Sequence, residues 1–224
     1  MNAFNSAVAR SSESILATNK VLKNTYILLS MTLLFSGFTA GMSIMFNLPH
    51  PGMIITLVGY FGLLFLTSKF SNSSLGILFV FALTGFMGLT LGPIVNMYIT
   101  SLSNGGEIVM TALGGTGIIF LGLSGYVLTS RKDFSFIGGF LMVGILVGFM
   151  ASLGAVFFEI PALSLAVSAM FVLLMSGLIL FQTSQIIHGG ETNYIMATVT
   201  LYISIYNLFL SLLHLLGALG GGDD

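Results

Sequence analysis

The sequence predicts an all-α membrane protein, a bundle of seven transmembrane helices with the seventh at its centre. Three observations lead there. Only 6% of the residues are charged while 56% are hydrophobic, and the mean hydropathy is +1.06. Seven apolar stretches follow one another, at 25–46, 52–68, 75–100, 108–129, 135–157, 162–187 and 193–219. Each is long enough to cross a hydrocarbon core of roughly 30 Å, which takes about 20 residues. Finally, all six Lys and Arg residues fall before the first stretch or in alternate loops.

Taken in order, the chain opens with residues 1–24, rich in Ser and Asn, expected as a solvated and mobile tail. Ile15, Leu16 and Leu22 offer an alternative placement on the membrane surface. Fully extended, such a tail reaches about 80 Å. No small-x-small cleavage pattern follows the first apolar run, so that run reads as a retained anchor. The second, fourth and sixth stretches end alike, at Leu66-Thr67-Ser68-Lys69, Leu128-Thr129-Ser130-Arg131 and Phe181-Gln182-Thr183-Ser184. This suggests a two-helix unit used three times, with a seventh helix added. Gly37-x3-Gly41, Gly88-x3-Gly92 and Gly144-x3-Gly148 set small residues four apart, a spacing that lets backbones approach closely in lipid. Pro93 is expected to kink the third span, because its ring removes a backbone donor.

Lys and Arg are retained on the cytoplasmic side. Arg10, Lys20 and Lys23 precede the first span, Lys69 follows the second, and Arg131 and Lys132 follow the fourth. The other loops carry His50, Glu107 and Glu159. The N-terminus is therefore expected inside and residues 220–224 outside. The hairpin 188–192 lacks Lys and Arg, so a re-entrant last segment returning the C-terminus inside is the alternative.

The last stretch carries Asn193, Ala197, Thr200, Ser204, Asn207, Ser211 and His214 at four-three spacing, one small and polar stripe along a helix. Facing lipid, it would leave polar groups unpaired, which argues for a central position. A conduction path and interhelical hydrogen bonding both fit; the absence of charge favours packing. Elsewhere the chemistry is sparse. There is no Cys, hence no disulfide, thiolate site or thiol nucleophile, and no basic patch for nucleic acid. His188 and Glu191 share a tight turn, but two ligands do not make a metal site. No cofactor is expected. Gly122-Leu123-Ser124-Gly125 matches the G-x-S-G of rhomboid-type proteases, yet a serine nucleophile needs a His within reach. By helical rise Ser124 and His214 differ in depth by roughly 15–20 Å. The chain is not expected to be an enzyme.

The run from Phe181 to Ile195, with His188-Gly189-Gly190-Glu191-Thr192-Asn193 at its heart, and its continuation Leu201-Tyr202-Ile203-Ser204-Ile205-Tyr206-Asn207-Leu208-Phe209 resemble the C-terminal signature of the Bax inhibitor-1 (TMBIM) family, in its bacterial YccA-like branch. Lys20 to Tyr26, Leu91-Gly92-Pro93-Ile94 and Tyr126 to Asp133 add to the likeness, which covers nearly the whole chain. The resemblance implies three helix pairs around a central last helix. It marks Gln182, Gln185, His188, Glu191, Ser204 and Asn207 as signature positions. Two functions come with it. YccA-like members are inner-membrane proteins that associate with the FtsH AAA protease, alongside its membrane regulators, and moderate its action in membrane protein quality control. Other members are pH-sensitive calcium leaks that use an acid in the sixth helix, an Asp in the seventh and an Arg in the second. Here Gln182 and Ser204 stand at the acidic positions, and 52–68 has no Arg. Neutral ligands bind calcium weakly and do not titrate, which disfavours the leak. The expected function is modulation of an FtsH-type protease, with Arg10, Lys20 and Lys23 on the tail as the partner's handle.

Overall fold

The computed structural model describes residues 3–220, with side chains from residue 16 onward. Among the described residues the chain is all helical: α1 Ala3–Met45, α2 Met53–Lys69, α3 Ser74–Ser101, α4 Gly105–Ser130, α5 Gly138–Phe157, α6 Pro161–Ile187 and α7 Tyr194–Gly220. One 3₁₀ turn, Ser135–Ile137, leads into α5. Six of the helices are long and apolar enough to cross a membrane; α2, with 17 residues, is the short one.

The first helix does not begin near residue 25. Its backbone is helical from Ala3, so the segment expected as a mobile tail continues α1. The sequence permits this, because nothing from Ala3 to Ser36 is Gly or Pro. Val21, Leu22 and Tyr26 pack against a buried cluster that includes Leu28, Leu29, Val80, Leu83 and Tyr202, so Leu22 joins the core and not the membrane surface. Lys20 and Lys23 point outward from the same helix. Arg10 lies where only the backbone is described.

Glycine decides how α1 packs. It lies along α3, not along its sequence neighbour α2, which it does not touch. A Cβ on Gly88 would run into Thr39 and the Ser36 carbonyl, and one on Gly92 would sit 2.7 Å from the Ala40 carbonyl. The backbones are thus as close as Gly-x3-Gly spacing allows. Gly144 and Gly148 serve α6 in the same way, receiving Leu174 and Phe171. The Gly37-x3-Gly41 pair does not: both residues face outward with nothing within 4 Å. The small-residue spacing was equal in all three; what α1 offers to α3 is the opposite face, Ser36, Thr39, Ala40 and Ser43. The expected repeat of consecutive helix pairs accordingly fails for α1 and α2, although α5 and α6 do pack together.

Pro93 sits inside α3 without ending it. Its missing N–H frees the Leu89 carbonyl, and the Ser43 hydroxyl of α1 donates to that oxygen at 2.9 Å. The break in the α3 ladder is thereby mended by the neighbour that the glycines admit.

α7 touches α1, α2, α3, α4 and α6 and contributes many of the most deeply buried side chains, among them Ile195, Val199, Leu201, Tyr202, Leu208 and Leu213. Tyr202 joins three helices: its hydroxyl lies 2.6 Å from Ser36 Oγ on α1 and donates to the Thr84 carbonyl on α3 at 3.3 Å.

Candidate functional site

The signature run builds the α6–α7 hairpin. α6 ends in a turn where Gly189 takes φ +76°, a left-handed value that favours glycine. The N–H groups of Gly190 and Glu191 both donate to the Gln185 carbonyl, at 2.9 and 3.1 Å. Gly190 lies directly against the Gln185 side-chain oxygen, which leaves no room for a Cβ. Glu191 Oε1 accepts the Asn193 N–H at 2.7 Å. Asn193 then caps α7: its Oδ1 accepts the N–H groups of Ile195 and Met196 at 2.9 and 3.1 Å. Its Nδ2 reaches across to the Ser71 carbonyl and Asn72 Oδ1 in the α2–α3 turn, at 3.2 and 3.0 Å. Asn193→Ala is expected to cost about 1–2 kcal/mol, the usual loss for a cap, read as a lower unfolding midpoint in detergent.

His188 fastens this hairpin to the α4–α5 loop. Its Nε2 lies 3.1 Å from the Arg131 carbonyl and its Nδ1 2.9 Å from the Ser184 carbonyl. Ser184 Oγ accepts the Phe134 N–H at 2.9 Å. Asp133 accepts the Ser135 N–H at 2.8 Å; that bond, with help from the Ser135 hydroxyl and the nearby His188, holds its carboxyl below the ordinary aspartate range. Lys132 is raised above the ordinary lysine value by Tyr126, whose ring it also covers at 5.7 Å. Lys20, Lys23, Lys69, Arg131 and Lys132 are all exposed around this one end of the bundle, called the basic end below.

One helical turn deeper lies a buried polar cluster. The hydroxyls of Tyr26 on α1, Ser124 on α4 and Thr183 on α6 meet, with Tyr26 and Ser124 in direct contact and Thr183 3.5 Å from each. Thr198 on α7 donates to the Tyr194 carbonyl of its own helix at 2.7 Å, and its hydroxyl lies 3.2 Å from the Thr25 carbonyl of α1. Gln182 is 5% exposed, and its Nε2 has no hydrogen-bond partner; neither has the Thr25 hydroxyl. Ser204, fully buried, donates to the Thr200 carbonyl of its own helix at 2.7 Å. The two positions where the family's leak pattern places acids therefore hold neutral groups that form no mutual hydrogen bond. Ser124 has hydroxyl neighbours and no histidine: His188 is engaged at the hairpin and His214 bonds Ser168. No group of three His, Cys, Asp or Glu is close enough to hold a metal among the described residues.

The polar stripe on α7 is satisfied mostly within α7. Thr200, Ser204 and Asn207 donate to the carbonyls of Met196, Thr200 and Ile203. Only its ends reach out, Asn193 to the α2–α3 turn and His214 Nδ1 to Ser168 Oγ at 2.8 Å. The Tyr26–Ser124–Thr183 cluster escaped the sequence because it joins three helices far apart in the chain. The available signal was Tyr26 itself, whose hydroxyl must find a partner once its ring is buried.

The family model described as "Inhibitor of apoptosis-promoting Bax1" matches residues 18–221. The chain is 56% identical over 204 residues to "Modulator of FtsH protease YccA" of Escherichia coli K12, covering 91% of this chain and 92% of that one. The same identity and coverage hold for "Inner membrane protein YccA" of E. coli O6:H1. An uncharacterised protein of Pseudomonas aeruginosa is 54% identical over 221 residues, 99% of this chain and 97% of its own. With the family model matching residues 18–221 and relatives above half identity along almost their full length, the chain belongs to the Bax inhibitor-1 family.

Proposed function

We propose that this protein is a non-enzymatic, multi-pass inner-membrane modulator of an FtsH-type AAA protease. The observation that carries the reading is the likeness, at 56% over nine-tenths of both chains, to a protein named for that role. The structure supplies a physical reason to prefer it over a calcium leak. Among the described residues no Asp, Glu, Lys or Arg is buried, and the buried polar side chains are neutral. A hard divalent cation needs anionic oxygens along its way.

In this reading α7 is the central pillar of the bundle, the basic end faces the cytoplasm and the far end of α7 faces outward. The segment before residue 25 remains the proposed handle, with Arg10, Lys20 and Lys23 as its charged contacts. It is a helical extension of α1, about 33 Å long for the 22 residues from Ala3. A pulling protease must melt it before meeting a bundle locked by the Gly88–Gly92 seam. The chain then acts as a slow substrate that occupies the protease, alone or together with the protease's membrane regulators.

The test is crosslinking in native-like membranes followed by purification of the full chain and of a form lacking residues 2–15. An FtsH-type protease recovered with the full chain and lost with the deletion supports both the role and the handle. Equal recovery excludes residues 2–15, with Arg10, as the handle and moves the contact to Lys20, Lys23 and the helices. No protease, together with calcium flux in liposomes, overturns the reading in favour of the leak.

A further inference from the structure

The wall of the bundle is open beside α2, and α7 shows through. α2 is fastened to α3, where Gly59 receives the Phe86 ring, and it stands apart from α6. Between α2, α6 and α7 this leaves a trough of about 550 Å³. Its long sides follow from helical spacing. α2 turns Phe61, Phe65 and Ser68 into it, and α7 turns Met196, Thr200 and Ile203. Residues four and three apart share one face of a helix. In a closed bundle two such faces would interdigitate; here Phe61 and Phe65 stay 51% and 64% exposed.

Depth, width and charge define what fits. Ser68 lies at the basic end of α2 and, at 1.5 Å per residue, Phe61 lies about 12 Å inside that end. Leu178 and Ile203 lie about 14 Å inside the same end of α6 and α7. The trough thus opens at headgroup level and runs most of the way through one leaflet, about 15 Å of hydrocarbon. Phe149 of α5 meets Phe61 edge to face at 6.4 Å and marks the deep end. A volume of about 550 Å³ over about 12 Å gives a cross-section of about 45 Å², about half that of a helix 10–12 Å across. A partner helix does not enter; a single hydrocarbon chain does. The lining is apolar except for Ser68 and Thr200, and Thr200 donates its hydroxyl to the Met196 carbonyl at 3.0 Å. Nothing below the mouth therefore asks for a polar group. At the mouth Ser68 is exposed, Lys69 follows it and is exposed too, and no Asp or Glu lines the trough.

We propose that the trough holds one acyl chain of an anionic phospholipid from the leaflet at the basic end, with the phosphate received by Ser68 and Lys69. The head sits where the hydroxyl and the ammonium are, and the chain runs inward past Thr200 toward Phe61 and Ile203. The lipid completes the packing between α2 and α7 that the side chains leave open.

The full-length chain is reconstituted in nanodiscs containing a phospholipid with a photoreactive diazirine near the middle of one acyl chain. The head is either phosphatidylglycerol or phosphatidylcholine, and labelled residues are mapped by mass spectrometry. Met142 and Leu146 of α5, both exposed, report ordinary surrounding lipid. Relative to them, phosphatidylglycerol is expected to label Phe61, Leu178 and Ile203 about fivefold more than phosphatidylcholine does, the worth of one lysine near an anionic headgroup. Lys69→Gln should abolish that preference. Thr200→Phe, which fills the floor, should lose the trough labelling and keep that of α5, with a thermal melt showing the bundle intact. Equal labelling by the two lipids overturns the proposal, as does a preference that survives Lys69→Gln or trough labelling that survives Thr200→Phe. A trough shielded from both lipids while α5 is labelled would mean that protein covers it, a second copy or another chain, and overturns the proposal too. The wild-type comparison of the two lipids decides alone if a variant does not fold.

Discussion

Gly88→Leu is expected to open the α1–α3 seam and lower stability by about 3 kcal/mol, at the upper end for overpacking a tight contact. The space is taken by the Ser36 carbonyl and the Thr39 side chain. Backbone cannot rotate out of the way, so α1 must move as a body. That motion also takes Ser43 from the Leu89 carbonyl, which Pro93 leaves without its own helix partner. It pulls Ser36 from Tyr202 as well. One methylene cluster therefore disturbs packing, a mended ladder and a three-helix hydrogen bond together. Gly37→Leu is the control. It has the same spacing motif and nothing within 4 Å, and it should leave the unfolding midpoint unchanged or slightly raised, because leucine favours helix over glycine. Unfolding of both variants in detergent, followed by circular dichroism, gives the comparison; equal losses would show that the seam does not depend on Gly88.

The contrast between these glycines marks what a sequence can tell and what it cannot. Hydropathy places every helix, since the requirement to hide backbone in lipid acts locally on each 20-residue stretch. The boundaries at Lys69, Ser130 and Ile187 follow within about a residue from the same cause. Gly37 and Gly88 carry the same motif, but which face meets a neighbour depends on how α1 is rotated. That rotation is set by Ser36, Ala40 and Ser43 fitting α3. The start of α1 at Ala3 departs from the expected start at residue 25 for a related reason. A polar composition predicts solvent, and says little about whether the backbone in that solvent stays helical. At the hairpin, the signature marks His188 and Glu191, and the α7 stripe marks Asn193, without revealing their work. The structure shows a turn, a cap and a strut to the loops beside it. Gln182 is marked in the sequence only by the resemblance, at a position where an acid is expected, and the packed bundle alone shows that its amide nitrogen has no partner.

That missing partner makes Gln182→Leu an expected gain. A buried donor without an acceptor costs about 1–3 kcal/mol, and leucine fills a similar volume without the donor. The variant should unfold about 1–2 kcal/mol later than the parent, contrary to the usual result of a core substitution. A loss of stability instead would mean that the amide is held by an interaction that leucine cannot replace. The same variant bears on function when set beside Gly88→Leu. If the chain moderates a protease by resisting extraction, its time on the protease should follow the strength of the bundle. Gln182→Leu should then be turned over more slowly than the parent, and Gly88→Leu faster, with the described helical extension before residue 25 unchanged in all three. Pulse-chase in membranes with an active FtsH-type protease measures that order. If all three lifetimes are equal, bundle strength is not what the protease works against, and modulation must reside in a docking surface. The order parent, then Gln182→Leu, then Gly88→Leu in rising turnover would instead mean that leucine weakens the bundle at this buried position and that the expected gain is wrong.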